Sequence, residues 1–315
     1  MRANSGKMLI AVLGVSAAAG CEATPATRLI DPFELIFSGE APVRIGINRV
    51  HIPLPPFFPK APWGALQIGL AGAIKQPVHF EALNPLQIQH HLRSGRLAFA
   101  LVNAVDYAEI ANDDVGNVLA IACNRTGRTS RACLIIASAN SDVQSIADIK
   151  GQRFAFGPRH DPVLHVAAMA TLARNGVGVE DLRKELLPLP GSLQFHISSD
   201  AAAKAVVYEP GIVVGVVNEQ DYEQWPEKGG TLLPLRFSRD QVRVLARSID
   251  VPEIALLVSN TCDAELAKQV EAFLLDRDAA NADMLAGLDI DHFEAGRREP
   301  YEEFAAIARS VPGVR

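Results

Sequence analysis

Apolar positions along this chain fall into two patterns, short continuous runs and longer runs with helical spacing. Val43 to Ile47 and Pro77 to Ala82 are strand-like runs broken by Arg44, His79 and Glu81, and Leu97 to Val102 is of the first kind. The last is wholly apolar, as expected of a parallel strand buried on both faces. Between them a helix is predicted over Pro62 to Ile74. A second is opened by Asn84 as N-cap with Pro85 at the first helical position, and ended by Ser94-Gly95. Further strands are predicted at Val118 to Asn124, Ala132 to Ala137, Leu187 to Leu189, Gly211 to Val217, Gln241 to Ser248 and Ile254 to Ser259. Helices are predicted at Asp200 to Val207, from Asn218 through Trp225, at Ala264 to Leu275 and across Pro300 to Arg309. Gly191 to Ser199 reads as a polar loop.

The most informative stretch is Ser145 to Val177. A short helix ends at Gly151, a strand covers Arg153 to Phe156, and a loop covers Gly157 to His160. A long helix follows, with Asp161 as N-cap, Pro162 at the first helical position and Asn175-Gly176 as its left-handed stop. Strand, polar loop and helix N-terminus in that order aim free backbone N–H groups at a ligand. Alternation of strands and helices gives an α/β fold, whose ligands bind beyond the carboxyl ends of the strands. Asn103 and Tyr107 follow such an end, and Asn48 opens a loop to Pro59 holding four prolines. That loop either lines a site or reverses the chain.

At 315 residues, 49% hydrophobic and 21% charged, the chain is long enough for two compact lobes. Its net charge of −6 argues against nucleic acid or an anionic membrane surface as partner. The N-terminus adds a compartment. Arg2 and Lys7 flank the start of an apolar run from Met8 to Ala19, which is too short to span a membrane and reads as a signal peptide over residues 1–20. Ala18-Ala19-Gly20-Cys21 resembles a bacterial lipobox, with Cys21 as lipidation site and residues 21–41 as tether; cleavage without lipidation is the alternative. Cys123 and Cys133 lie in two apolar runs joined by a polar loop containing Gly127. They admit either a cross-strand disulfide or two buried thiols. Cys262 reads as a partly buried thiol, His90 and His91 as surface or packing residues, and no Cys/His spacing suggests a metal site.

The central stretch also carries a resemblance. Ser145 to Gly151, Arg153 to Phe156 and Leu172 to Gly176 resemble the second-lobe signature of the phosphate/phosphite/phosphonate ABC transporter substrate-binding proteins. These are relatives of the sulfonate-binding and transferrin-like type II binding proteins. Leu92 to Tyr107, Arg125 to Arg131, Ser199 to Val207 with Ile212 to Val217, and Arg247 to Pro252 resemble further family segments in the right order, over roughly residues 42 to 310. The resemblance implies a two-lobed periplasmic-binding-protein type II fold with two crossover hinge strands, lobe one at 42–125 and 229–315 and lobe two at 126–228. It implies an exported monomer that captures a small ligand between its lobes and passes it to a membrane permease. No enzymatic activity, cofactor or nucleic acid is implied.

The chain departs from the family at the ligand loop. Gly157 to Pro162 has no hydroxyl where members carry serines and threonines, and Ser199 stands where they carry a histidine. Arg159 can replace the missing donors with a forked contact to an oxyanion. Asn48, Asn103, Tyr107, Ser130, Arg159, His160, His196 and Ser199 are therefore the candidate ligand residues, Ser130 lying near the hinge. A sensory or partner-binding module, and a relative of pyrimidine-precursor synthases sharing the fold, are the competing readings. The second is disfavoured by the lack of a nucleophile elbow or Gly-rich phosphate loop.

Overall fold

The computed structural model describes residues 41–48, 63–110, 115–184, 193–227, 237–280, 282–285 and 288–311. The expected signal peptide, Cys21, the proline-containing stretch beyond Asn48 and the expected strand at Leu187 to Leu189 lie outside them. In chain order come β1 (Val43–Asn48), α1 (Gly64–Ile74), β2 (Val78–Leu83), α2 (Pro85–Arg93), β3 (Phe99–Val102), α3 (Ala104–Ile110) and β4 (Gly116–Asn124). The chain crosses through β5 (Ser130–Arg131) into β6 (Cys133–Ser138), β7 (Arg153–Phe156), α4 (Ala168–Arg174), β8 (Gln194–Phe195), α5 (Ser199–Tyr208), β9 (Ile212–Asn218), α6 (Glu219–Glu223) and β10 (Val242–Arg247). It returns through β11 (Val251–Pro252) to β12 (Ala255–Ser259), α7 (Ala264–Leu275), α8 (Ala282–Leu285), β13 (Ile290–Ala295) and α9 (Glu299–Ser310).

The strands sort into two sheets. The first has the order β13-β4-β12-β3-β1-β2 and the second β10-β6-β9-β7-β8. β1 pairs parallel with both β2 and β3, and β7 parallel with both β8 and β9, so each sheet has a parallel core whose carboxyl ends share one edge. β3 is buried along its whole length between β1 and β12, which explains its continuous apolar run. Between the sheets the chain crosses twice, and the crossings pair with each other: β5 and β11 form a two-stranded antiparallel ribbon, Val251 opposite Arg131 and Pro252 opposite Ser130.

Local signals place most elements. Asn84 caps α2 and exchanges side-chain and backbone hydrogen bonds with Gln87, a capping box. Asp161 accepts from the amides of Val163 and Leu164, and the helix leaves through Gly176 at φ 77°, a left-handed position that disfavours a Cβ. The first six residues of that helix, Pro162–Ala167, are wound as a π-helix before α4 begins.

Two expectations are corrected, and the open choice at Cys123 and Cys133 is decided. β10 pairs antiparallel with β6 in the second sheet, so the 229 boundary is too early and the second sheet runs to Arg247. Cys123 and Cys133 sit on strands of different sheets and both are free, buried thiols; burial above all pushes each up to about 12. Gly191 to Ser199 is not all loop, because Gln194–Phe195 adds β8 at the far edge of the second sheet.

Candidate functional site

The carboxyl ends of β1 and β3 carry one polar cluster. Asn48 ends β1, is 2% exposed, and its Nδ2 donates to Asp106 Oδ1 at 2.5 Å. Asn103 ends β3 and accepts from the amides of Val105 and Asp106 at 2.9 and 2.8 Å, which starts α3. Asp106, itself buried, thus ties the two strand ends together. Tyr107 points elsewhere. It is buried against Tyr301 of α9, ring centroids 5.1 Å apart, as part of the core.

In the second sheet the loop after β7 and the residues after β8 meet. Leu164 stands so close to Gly157 that an added Cβ would lie 2.4 Å from its Cβ, so only glycine fits where the loop turns back onto the helix. His160 has a φ of 64°, and its amide donates to Nδ1 of His165 at 3.2 Å. His165 is buried between the rings of Phe156 and Phe195, and this desolvation, reinforced by His160 and Arg159, lowers it to about 4. Its imidazole is neutral at pH 7 and serves as an acceptor that holds the loop. Arg159 lies over the Phe195 ring, 5.0 Å from the centroid, a cation–π contact. His196 follows Phe195; its amide donates to Phe156, while its buried Nε2 has no hydrogen-bond partner among the described residues. Arg159 and His160 are therefore brought together by His165 and Phe195, which sequence reading missed, while His196 joins them only through its place after Phe195. The signal for His165 is its place three residues after Pro162 on a helix otherwise apolar there.

Ser199 is turned inward. Its Oγ accepts from the amide of Asn218 at 2.9 Å and bonds Asp221, so it joins α5 to the end of β9. Asn218 caps α6 by accepting from Gln220 at 3.1 Å. Burial, more than the neighbouring Asp200, raises the Asp221 carboxyl above its usual range, while Ser199 and Arg131 oppose the rise.

The crossings carry a third cluster. Glu253, 6% exposed, receives Arg131 Nε at 2.6 Å and Asn124 Nδ2 at 2.9 Å. Arg131 also lies within the field of Asp161 at the head of the lobe-two helix. Ser130 faces a groove of about 560 Å³ shared with Arg174, Arg247, Asp250, Glu303 and Phe304, at the C-terminal end of that helix rather than at its capped head. It is not brought to the cluster of Arg159, His160 and His196.

This architecture has known counterparts. A protein from Xanthomonas citri, solved bound to ATP, superposes with a TM-score of 0.64 at 17% identity, covering 86% of this chain and 98% of its own. A binding-protein component of an ABC phosphonate transporter from Pseudomonas aeruginosa gives 0.58 at 18%, covering 85% and 86%. PhnD1 from Prochlorococcus marinus, in complex with methylphosphonate, gives 0.57 at 13%, covering 85% and 97%. No curated protein sequence matches the chain. The model of the phosphonate ABC transporter periplasmic substrate-binding proteins matches residues 60–301, and the chain belongs to that family.

Proposed function

We propose that the chain holds a phosphorus-type oxyanion between its two lobes, with Arg159, His160 and His196 as the lobe-two contacts and Asn48 and Asn103 as the lobe-one contacts. The observation that carries this reading is the capping of the lobe-two helix. Asp161 already occupies the amides of Val163 and Leu164, so the helix head offers an anion less than a hydroxyl-bearing loop would. Side-chain donors must supply the difference. Arg159 is the charged donor on that loop, and Nε2 of His196, next in sequence to the ring that Arg159 covers, is buried with no hydrogen-bond partner among the described residues.

The signal-like N-terminus supports export, with Cys21 as lipid anchor, and the family supports delivery to a permease by a monomer. Palmitate labelling that disappears in Cys21→Ser tests the anchor. The site is tested by a thermal-shift screen of phosphate, phosphite, alkylphosphonates, sulfonates and carboxylates. A ligand at a hundredfold excess over its Kd stabilises the fold by about 2.7 kcal/mol, a rise of several degrees in Tm. The rise is expected with a phosphorus oxyanion and lost in Arg159→Ala. A response to sulfonates or carboxylates alone rejects the ligand class while keeping solute binding.

A further inference from the structure

β4 and β13 pair antiparallel at the outer edge of the first sheet, with Cys123 opposite His292. Glu294 lies two residues beyond His292 and so rises from the same face of the strand. The Cys123 sulfur, an imidazole nitrogen of His292 and a carboxylate oxygen of Glu294 all lie within 4.8 Å of one another. Cys123 and His292 are buried, and Glu294 is exposed.

The surroundings fix which nitrogen faces this triangle. Arg277 Nη2 lies 2.7 Å from Nε2 of His292, and Asp291 Oδ2 lies 2.8 Å from Nδ1. A guanidinium only donates, so Nε2 accepts and Nδ1 carries the proton given to Asp291. The lone pair at Nε2 is thus taken by Arg277, and Glu294 Oε1 lies 3.8 Å from the same nitrogen. A carboxylate on the far nitrogen of a histidine is the support that orients metal-binding imidazoles. A positive group already occupies this lone pair, and it belongs to an exposed residue.

We propose that Cys123, His292 and Glu294 form a site for a divalent cation of the zinc class, with Arg277 standing in the cation's place in the metal-free protein. Sulfur, imidazole and carboxylate form a borderline-soft set suited to zinc, and water completes a tetrahedron. On binding, the metal–sulfur bond replaces the S–H bond, the proton leaves to solvent by way of Glu294, and Arg277 rotates away. The residues come from positions 123 and 292–294, a separation no short-motif spacing reveals.

Cobalt(II) is the probe, because a thiolate ligand gives it a near-ultraviolet charge-transfer band. The full chain is expected to bind one equivalent with that band, to lose the band when zinc is added, and to lack it in Cys123→Ser. Glu294→Ala, at an exposed position, is expected to weaken binding at least tenfold while the fold is kept. Arg277→Ala is expected to tighten it at least tenfold by removing the competing cation. A band that survives Cys123→Ser overturns the proposal, as does the lack of a band in both the wild type and Arg277→Ala.

Discussion

His165 shows how one buried side chain can set a pH dependence. Burial first, then the positive neighbours His160 and Arg159, hold it down to about 4, whereas an unfolded histidine titrates near 6.5. Above pH 6.5 both states are neutral and its stabilising contribution is fully present. As pH falls below 6.5 the unfolded chain takes up a proton that the folded one refuses. The resulting loss grows to about 3 kcal/mol by pH 4 and then levels off. Urea unfolding at pH 7 and pH 5 should therefore show the wild type losing about 2 kcal/mol more than His165→Phe over that interval. Parallel losses would show that the imidazole is not the titrating group. At this scale the sequence was legible where chemistry is local: Asn84, Asp161 and Asn218 cap helices because their short side chains reach amides two or three residues on. The contacts of Tyr107 and Ser199 were not legible, because their partners, Tyr301 and Asn218, lie 194 and 19 positions away.

Single elements were legible wherever their own residues decide them. α7 spans Ala264–Leu275, as its helical spacing predicts, and β7 spans Arg153–Phe156. β8 was not, because two residues without an apolar run become a strand only when β7 supplies the hydrogen-bond partners. β10 was found as a strand but placed with the wrong lobe, since its pattern of burial says nothing about which sheet receives it. The lobe-two helix offers the sharpest test of an element. Its head is held by Asp161 through two amide hydrogen bonds at 2.9 and 2.6 Å. Asp161→Ala should cost about 1 kcal/mol, while Asp161→Ser, which still caps, should recover most of it. Removing the carboxylate also frees two amides and takes away a negative charge two residues from Arg159, so oxyanion affinity should rise in Asp161→Ala. Thermal unfolding and ligand titration of the two variants check both outcomes. A fall in Tm that serine fails to rescue would place Asp161 in another role.

On the scale of the whole molecule, two short paired strands carry the chain between the two sheets among the described residues, and a charge network ties those strands together. Glu253 on the returning crossing holds Arg131 on the outgoing one, and Asn124 at the end of β4 holds the same carboxylate. The network therefore links the last residue of a lobe-one strand to both crossings. Glu253→Gln keeps the shape but removes the charge, leaving Arg131, which is only 26% exposed, without its anion. Loss of a charged hydrogen bond of this kind costs about 2 kcal/mol, read as a lower urea midpoint. Its second effect is on motion. With the crossings pinned, ligand binding should appear in X-ray scattering as a single smaller radius of gyration, the signature of lobes rotating about a hinge. With the pin loosened, the ligand-free variant should sample a broader range of radii and bind more weakly, since part of the binding energy then goes into ordering the hinge. A saturating ligand that raises Tm without shrinking the wild-type radius would mean that this chain binds its solute without closing.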